Sequence, residues 1–149
     1  MRMRNEGAPL CGDAPPRRPT WHEHFLDVAQ TISKRADCSR RKVGAVLVKN
    51  NRIKATGYNG SPPGKPGCLT DGACPRAKSD VLFGSSYDTG PGACIAIHAE
   101  QNAILYSTPE ERDGATLYIT DVPCDGCRRL ISGSGIKLVI FPQGEMRIK

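Results

Sequence analysis

The chain has 149 residues, 38% of them hydrophobic, which is material for one compact core and not for two. No stretch approaches the roughly 20 apolar residues that a membrane helix needs, and the longest apolar run, residues 43–48, is interrupted by Gly44 and reads as a strand. A net charge of +6 suits anionic partners, nucleotides and nucleic acids alike, and is equally the mark of a solvated basic surface, so charge alone selects nothing. Residues 1–19 carry Arg2, Arg4, Arg17 and Arg18 among prolines and glycines without an apolar export segment. They read as a flexible basic arm ahead of one domain, residues 20–149, on a cytoplasmic protein. In that setting the seven cysteines point to metal ligands or buried thiols and not to a disulfide framework.

The first predicted element is a helix over residues 21–35. Trp21, Phe25, Val28 and Ile32 fall on one face, and Thr20 with Glu23 three residues on forms a capping box. Residues 43–48 and 52–58 read as strands flanking Lys49-Asn50-Asn51, whose asparagines tolerate the left-handed conformations of a tight hairpin turn. A long irregular stretch follows. A helix is then expected over residues 99–106, a strand over 116–120, a short helix over 124–132 and a strand over 136–141. Gly133 and Gly135 fit the end of the last helix, and the short link onward fits a right-handed parallel crossover. The expected order is α-β-β-α-β-α-β around a mixed sheet.

Two motifs carry chemistry. His98-Ala99-Glu100 and Pro123-Cys124-Asp125-Gly126-Cys127 together supply an imidazole, two thiols one helical turn apart and a carboxylate. A histidine nitrogen and two thiolates fill three corners of a zinc tetrahedron and leave the fourth open, the mark of a catalytic and not a structural site. Taken singly, a C-x-x-C is as readily a redox pair or half of a zinc knuckle, and a lone histidine is usually a satisfied core or surface group. Taken together, H-x-E followed by P-C-x-x-C is the signature of zinc-dependent deaminases, in which the glutamate moves protons. Both motifs begin helices, where the positive end of the dipole favours thiolate over thiol.

Beyond these motifs the chain resembles the deoxycytidylate (dCMP) deaminase family within the cytidine-deaminase-like fold. The resemblance runs through Cys38-Ser-Arg-Arg-Lys-Val-Gly-Ala-Val, Ile53-Lys-Ala-Thr-Gly-Tyr-Asn-Gly, Ile97-His-Ala-Glu-Gln-Asn-Ala-Ile, Gly114-Ala-Thr-Leu-Tyr-Ile-Thr and Pro123-Cys-Asp-Gly-Cys. It implies an α/β architecture: a three-layer α/β/α fold with a mixed central sheet made of an N-terminal hairpin plus parallel strands. It implies hydrolytic deamination of dCMP to dUMP, a supply step for dTMP synthesis. The site it implies has zinc on His98, Cys124 and Cys127, Glu100 as proton shuttle, and substrate contacts at Asn59 and Ala99. As an isolated residue between Tyr58 and Gly60, Asn59 reads equally as a turn asparagine. Arg40, Arg41 and Lys42 precede the first strand, and one of them is expected on the 5′-phosphate, with a solvent-facing basic run as the alternative. The family is also homo-oligomeric, often hexameric, and some members respond to dCTP and dTTP.

Residues 60–97 form a connection far longer than ordinary loops. Cys68, Cys74 and Cys94 lie in it and Cys38 just before the first strand, so these four thiols are expected either to meet in a second, structural zinc site or to be ordinary buried cysteines. In several family members, residues matching Cys38, Cys68 and Cys94 are structural ligands beside a further Cys or His, which Cys74 would supply here. The segment 84–92 has the composition of a lid. Only eight residues follow Phe141, so the last strand is expected to need cover from a neighbouring subunit. Three other functions compete. An enzyme acting on a base in nucleic acid, such as a tRNA adenosine deaminase, is disfavoured by an aromatic content of 5%. A deaminase of another small heterocycle is open, and a non-catalytic zinc module would make Glu100 dispensable.

Overall fold

The computed structural model describes residues 16–149, so most of the basic arm expected over residues 1–19 lies outside the described residues. Helix α1 (Trp21–Ser33) begins as its sequence requires, with the Thr20 hydroxyl accepting from the Glu23 amide at 3.2 Å and the Glu23 carboxylate accepting from the Thr20 amide at 3.0 Å. Strands β1 (Gly44–Lys49) and β2 (Arg52–Tyr58) follow as an antiparallel hairpin. Its turn residues Asn50 and Asn51 have φ of 53° and 55°, the left-handed pair that a two-residue hairpin turn demands. The remaining elements are α2 (Pro75–Lys78), α3 (Ala99–Leu105), α4 (Pro109–Arg112), β3 (Thr116–Ile119), α5 (Asp125–Ser132), β4 (Leu138–Phe141) and β5 (Gly144–Arg147).

The sheet order is β2-β1-β3-β4-β5, with β3 and β4 parallel and every other neighbouring pair antiparallel. Alternation along the central strands sorts side chains to two faces. Val46, Val48, Tyr118 and Ile140 pack against Phe25 and Ala29 of α1. Ala45, Leu47, Leu117, Ile119 and Val139 pack against Ala99 and Ala103 of α3 and Ile131 of α5. This is the mixed three-layer α/β/α arrangement, and it explains why β1 reads as a nearly continuous apolar run: both of its faces are covered.

Three elements go beyond the sequence reading. The single turns α2 and α4 are too short to show a periodicity, though Thr108 caps α4 by the same reciprocal bonds that start α1. Strand β5 pairs antiparallel with the whole of β4, so the chain itself covers the edge expected to need a neighbouring subunit. Its sequence, Gly-Glu-Met-Arg, has no apolar alternation to mark it, because only one of its faces meets the core, through Met146.

Helix α3 sits directly on the hairpin. A Cβ at Gly57 of β2 would overlap the carbonyl oxygen of Ala99 and fall 2.7 Å from the Ala103 amide, both backbone atoms that cannot swing aside. Gly44 of β1 meets α1 in the same way, through the carbonyl of Ala29, on the opposite face. Replacing Gly57 by valine is expected to lower unfolding stability by about 1–3 kcal/mol, the usual cost of overpacking, and to weaken zinc retention because the start of α3 moves. Gly44→Val should lower stability comparably in a urea titration while zinc retention, read by metal analysis, holds.

Candidate active site

His98 and Cys124 occupy equivalent positions, each the residue just before the first turn of a helix, α3 and α5 respectively. The His98 amide donates to the Gln101 side chain at 2.7 Å, and its carbonyl accepts from the Asn102 amide at 3.0 Å, which fixes the imidazole at the mouth of α3. Cys124 is fixed by the Arg128 amide on its carbonyl at 2.9 Å, and the Arg128 side chain donates to the Pro123 carbonyl at 3.1 Å. One turn into α5, Cys127 is fully buried. The three donors meet: His98 Nδ1 lies 3.2 Å from Cys127 Sγ and 3.5 Å from Cys124 Sγ. Two ligands on a tetrahedral zinc, with Zn–N of about 2.0–2.1 Å and Zn–S of about 2.3 Å, stand about 3.5 Å apart. The trio therefore fits that ion. Among the described residues it is the single group of three or more such donors that lie within 4.8 Å of one another.

Glu100 completes the set from the first turn of α3. It is only 4% exposed, and its carboxylate is hydrogen-bonded to the Cys127 thiol. Burial pushes that thiol far above its ordinary value, and the charge of Glu100, its hydrogen bond and the neighbouring Cys124 push it further the same way. A dication among these groups inverts the balance, because a coordinating thiol gives up its proton outright.

His98, Glu100 and Cys124 line one cleft. Ala99 is fully buried in its wall, and Asn59, 7% exposed, lines it. The Asn59 side chain accepts from the Val43 amide at 2.8 Å and donates to the Arg41 carbonyl at 3.0 Å, so it anchors the entry to β1 and keeps one donor and one acceptor position for a ligand. Arg40 and Arg41 both line the cleft. Arg41 pairs with Asp121 at 3.2 Å, whereas Arg40 has no carboxylate partner among the described residues. Lys42 is not brought to this cleft and lines a separate surface groove beside Asp37 and Tyr58.

The cleft is also walled by Cys38, Cys68, Cys74 and Cys94, which lie near one another. Asp37 draws the insertion towards Cys38: its carboxylate accepts from the amides of Leu69 and Thr70 at 2.8 and 3.0 Å and from the Thr70 hydroxyl at 2.8 Å. Three of the four sulfurs accept from backbone amides. Cys38 Sγ accepts from the amides of Arg40 and Arg41 at 3.4 Å each, Cys74 from those of Arg76 and Ala77, Cys94 from that of Ala96, and Cys68 faces the Ser61 hydroxyl at 3.8 Å. Burial raises the thiols of Cys68 and Cys94. It opposes ionisation of Cys74 too, but there the two amides, the Ser39 side chain and Arg40 outweigh it and hold the thiol below its ordinary value. No three of these sulfurs lie within 4.8 Å of one another among the described residues. Two further residues of this wall, Arg76 and Tyr87, have no signal in the sequence beyond Arg76's place directly after Cys74-Pro75.

An open three-donor centre with a buried carboxylate, on a mixed sheet between helical layers, defines the class of zinc-dependent hydrolytic deaminases. Residues 19–143 match the family model described as the cytidine and deoxycytidylate deaminase zinc-binding region, and the chain belongs to that family. The deoxycytidylate deaminase of Mycobacterium phage D29 is 50% identical over 127 residues, 85% of this chain and 97% of that protein. The deoxycytidylate deaminase of Schizosaccharomyces pombe is 42% identical over 125 residues, but this chain spans only 37% of its length. Among solved structures, the dCMP deaminase of cyanophage S-TIM5 in complex with dCMP and dUMP superposes with a TM-score of 0.58 at 28% identity, covering 85% of this chain and 83% of that one.

Because both thiols must ionise to bind the metal, filling this centre with zinc is expected to release about two protons near neutral pH, and its affinity is expected to fall as the pH is lowered. Calorimetric titration in buffers of differing ionisation enthalpy measures that number directly. A variant with Cys127 replaced by serine should release fewer protons and bind zinc far more weakly.

Proposed function

We propose that this protein converts dCMP and water to dUMP and ammonia, with His98, Cys124 and Cys127 holding the catalytic zinc and Glu100 moving the protons. The observation that carries this reading is the convergence of three zinc donors beside a buried carboxylate at a cleft. Bound there, zinc supplies a water that ionises near neutral pH. Glu100, excluded from solvent and next to Cys127, is the group that would hold the proton lost by the attacking water, pass it to N3 of the cytosine, and then carry the second proton to the amino group that leaves as ammonia. The remaining donor and acceptor of Asn59 orient the nucleoside, and the backbone of Ala99 forms the floor on which the base rests. Arg40 is the cation best placed for the 5′-phosphate, since Arg41 is engaged by Asp121 and Lys42 faces another groove.

The four thiols of this cysteine wall hold a second, structural zinc in this reading. Its support is the chemistry of the donor set: four cysteines on one wall, three of them with backbone N–H groups aimed at sulfur, an arrangement that stabilises thiolates. Binding the ion requires the sulfurs to draw together. We further assign the chain to a homo-oligomer, hexameric as is frequent in the family, with dCTP and dTTP as effectors. Exposed Leu105 and Tyr106 at the end of α3, with Ile53 and Tyr58 on edge strand β2, give it apolar surface for a second copy. The six described cysteines are all free thiols, which suits a cytoplasmic location, and residues 20–149 act as one domain. No helix among the described residues is long and apolar enough to cross a membrane.

Ammonia release by zinc-loaded protein from dCMP, deoxycytidine, CMP, dCTP and a tRNA tests the reading, each with and without added dCTP and dTTP. Turnover of dCMP well above the rest is the expected result. Turnover of tRNA in its place moves the assignment to an enzyme acting on nucleic acid. Glu100→Ala is expected to lose about 10²- to 10⁴-fold in kcat while keeping its catalytic zinc. Full activity in that variant would overturn the proton-shuttle role.

A further inference from the structure

Arg76 is the least expected charge in the molecule. It is 5% exposed, and four of its contacts hold one loop: Nη1 donates to the carbonyls of Ser86 at 2.8 Å and Gly92 at 3.2 Å, and Nη2 to the carbonyl and hydroxyl of Ser85 at 3.3 and 2.9 Å. The guanidinium lies over the Tyr87 ring, 4.3 Å from its centroid. All of these partners are neutral. Nε is buried with no hydrogen-bond partner at all, and no ion pair among the described residues involves Arg76. A buried cation without an anion is costly, so the fold is incomplete at this point as it stands.

The groups around it that can carry negative charge are cysteines. Arg76 follows Cys74 by two residues, its own amide donates to that sulfur, and its charge acts on Cys94. Cys94 is in turn tied to the same loop, its amide donating to the Tyr87 carbonyl at 2.7 Å. Thiolates gathered on a divalent ion keep a net negative charge, which is the counter-charge that Arg76 lacks. We propose that Arg76 is the balancing cation of a metal-filled four-cysteine cage, and that filling the cage fixes residues 85–92 and with them the Tyr87 wall of the substrate cleft. This rests on the second-zinc reading above. Arg76 is then a positioning residue, acting on substrate through Tyr87, and metal in the cage governs substrate affinity without entering the chemistry.

The test compares wild-type protein with Arg76→Gln, Arg76→Lys and Cys68→Ser. Metal content and cobalt titration read the cage, hydrogen exchange reads residues 85–92, and steady-state kinetics with dCMP read the cleft. Two ions per wild-type chain are expected. Arg76→Gln should weaken the cage ion about 10- to 100-fold, the range for a group that supports metal ligands from outside the coordination sphere. It should raise exchange in residues 85–92 as Cys68→Ser does, and raise KM by a larger factor than it lowers kcat, the sign of lost binding and not lost chemistry. Arg76→Lys keeps the charge without the planar fork, so it should regain metal affinity while loop exchange stays high. Should Arg76→Gln not fold, cobalt titration of the wild type carries the test: protection of residues 85–92 must appear with the cage ion, identified by its four-thiolate absorption. One ion per wild-type chain would overturn the cage itself. Two ions with unchanged affinity and exchange in Arg76→Gln, or loop protection that does not follow the cage ion, would overturn the role given to Arg76 and leave the cage standing.

Discussion

The chemistry depends on two helices starting at the same place. An imidazole and two thiols become a metal site only when the mouths of α3 and α5 face each other within the length of a side chain, as the 3.2 and 3.5 Å separations between His98 and the two cysteines require. Neither helix is long enough to hold itself there, with seven residues in α3 and eight in α5. Their positions come from the sheet. Gly57 lets α3 descend onto the hairpin until backbone meets backbone, and the parallel β3 to β4 crossover returns α5 to the same face. Ala99, Ala103 and Ile131 then lock both helices over Ala45, Leu47 and Leu117. The small residues of α3 are part of the mechanism, because a larger side chain at Ala99 would lift His98 and Glu100 away from α5.

The same approach sets the electrostatics. Burying Cys127 against Glu100 raises the thiol and keeps both groups from water, an unfavourable arrangement that a dication turns into a favourable one. Elsewhere in the cleft, amides two and three residues after Cys38 and Cys74 point at sulfur, and Arg76 is buried among neutral carbonyls.

How much of this was legible in the sequence follows from the range over which each feature is encoded. The Thr20 and Glu23 capping box, the Asn50-Asn51 turn and the alternation of the central strands are written within a few residues, and the structure holds them where the local pattern put them. The zinc trio was legible for a different reason, since residue types and a one-turn spacing restrict the chemistry even before the fold is known. Strand β5 was not legible, because an edge strand with one core-facing methionine has no alternation to display. Nor was the division among Arg40, Arg41 and Lys42: three adjacent cations look alike until the chain turns into β1, sending one to Asp121 and another to a different groove.

By itself, then, the sequence determined the hairpin, the helices at both metal motifs, the mixed sheet and the identity of the zinc donors, because each rests on local periodicity, capping or ligand chemistry. Only the tertiary structure decided that Asn59 spends half of its amide on the start of β1, and that β5 closes the sheet edge. It alone placed four distant cysteines on one wall and buried Arg76 beneath Tyr87. Those outcomes depend on the insertion over residues 60–97 folding back on the core through long-range bonds such as Asp37 to Thr70, and contacts between residues so far apart leave no periodicity in the chain.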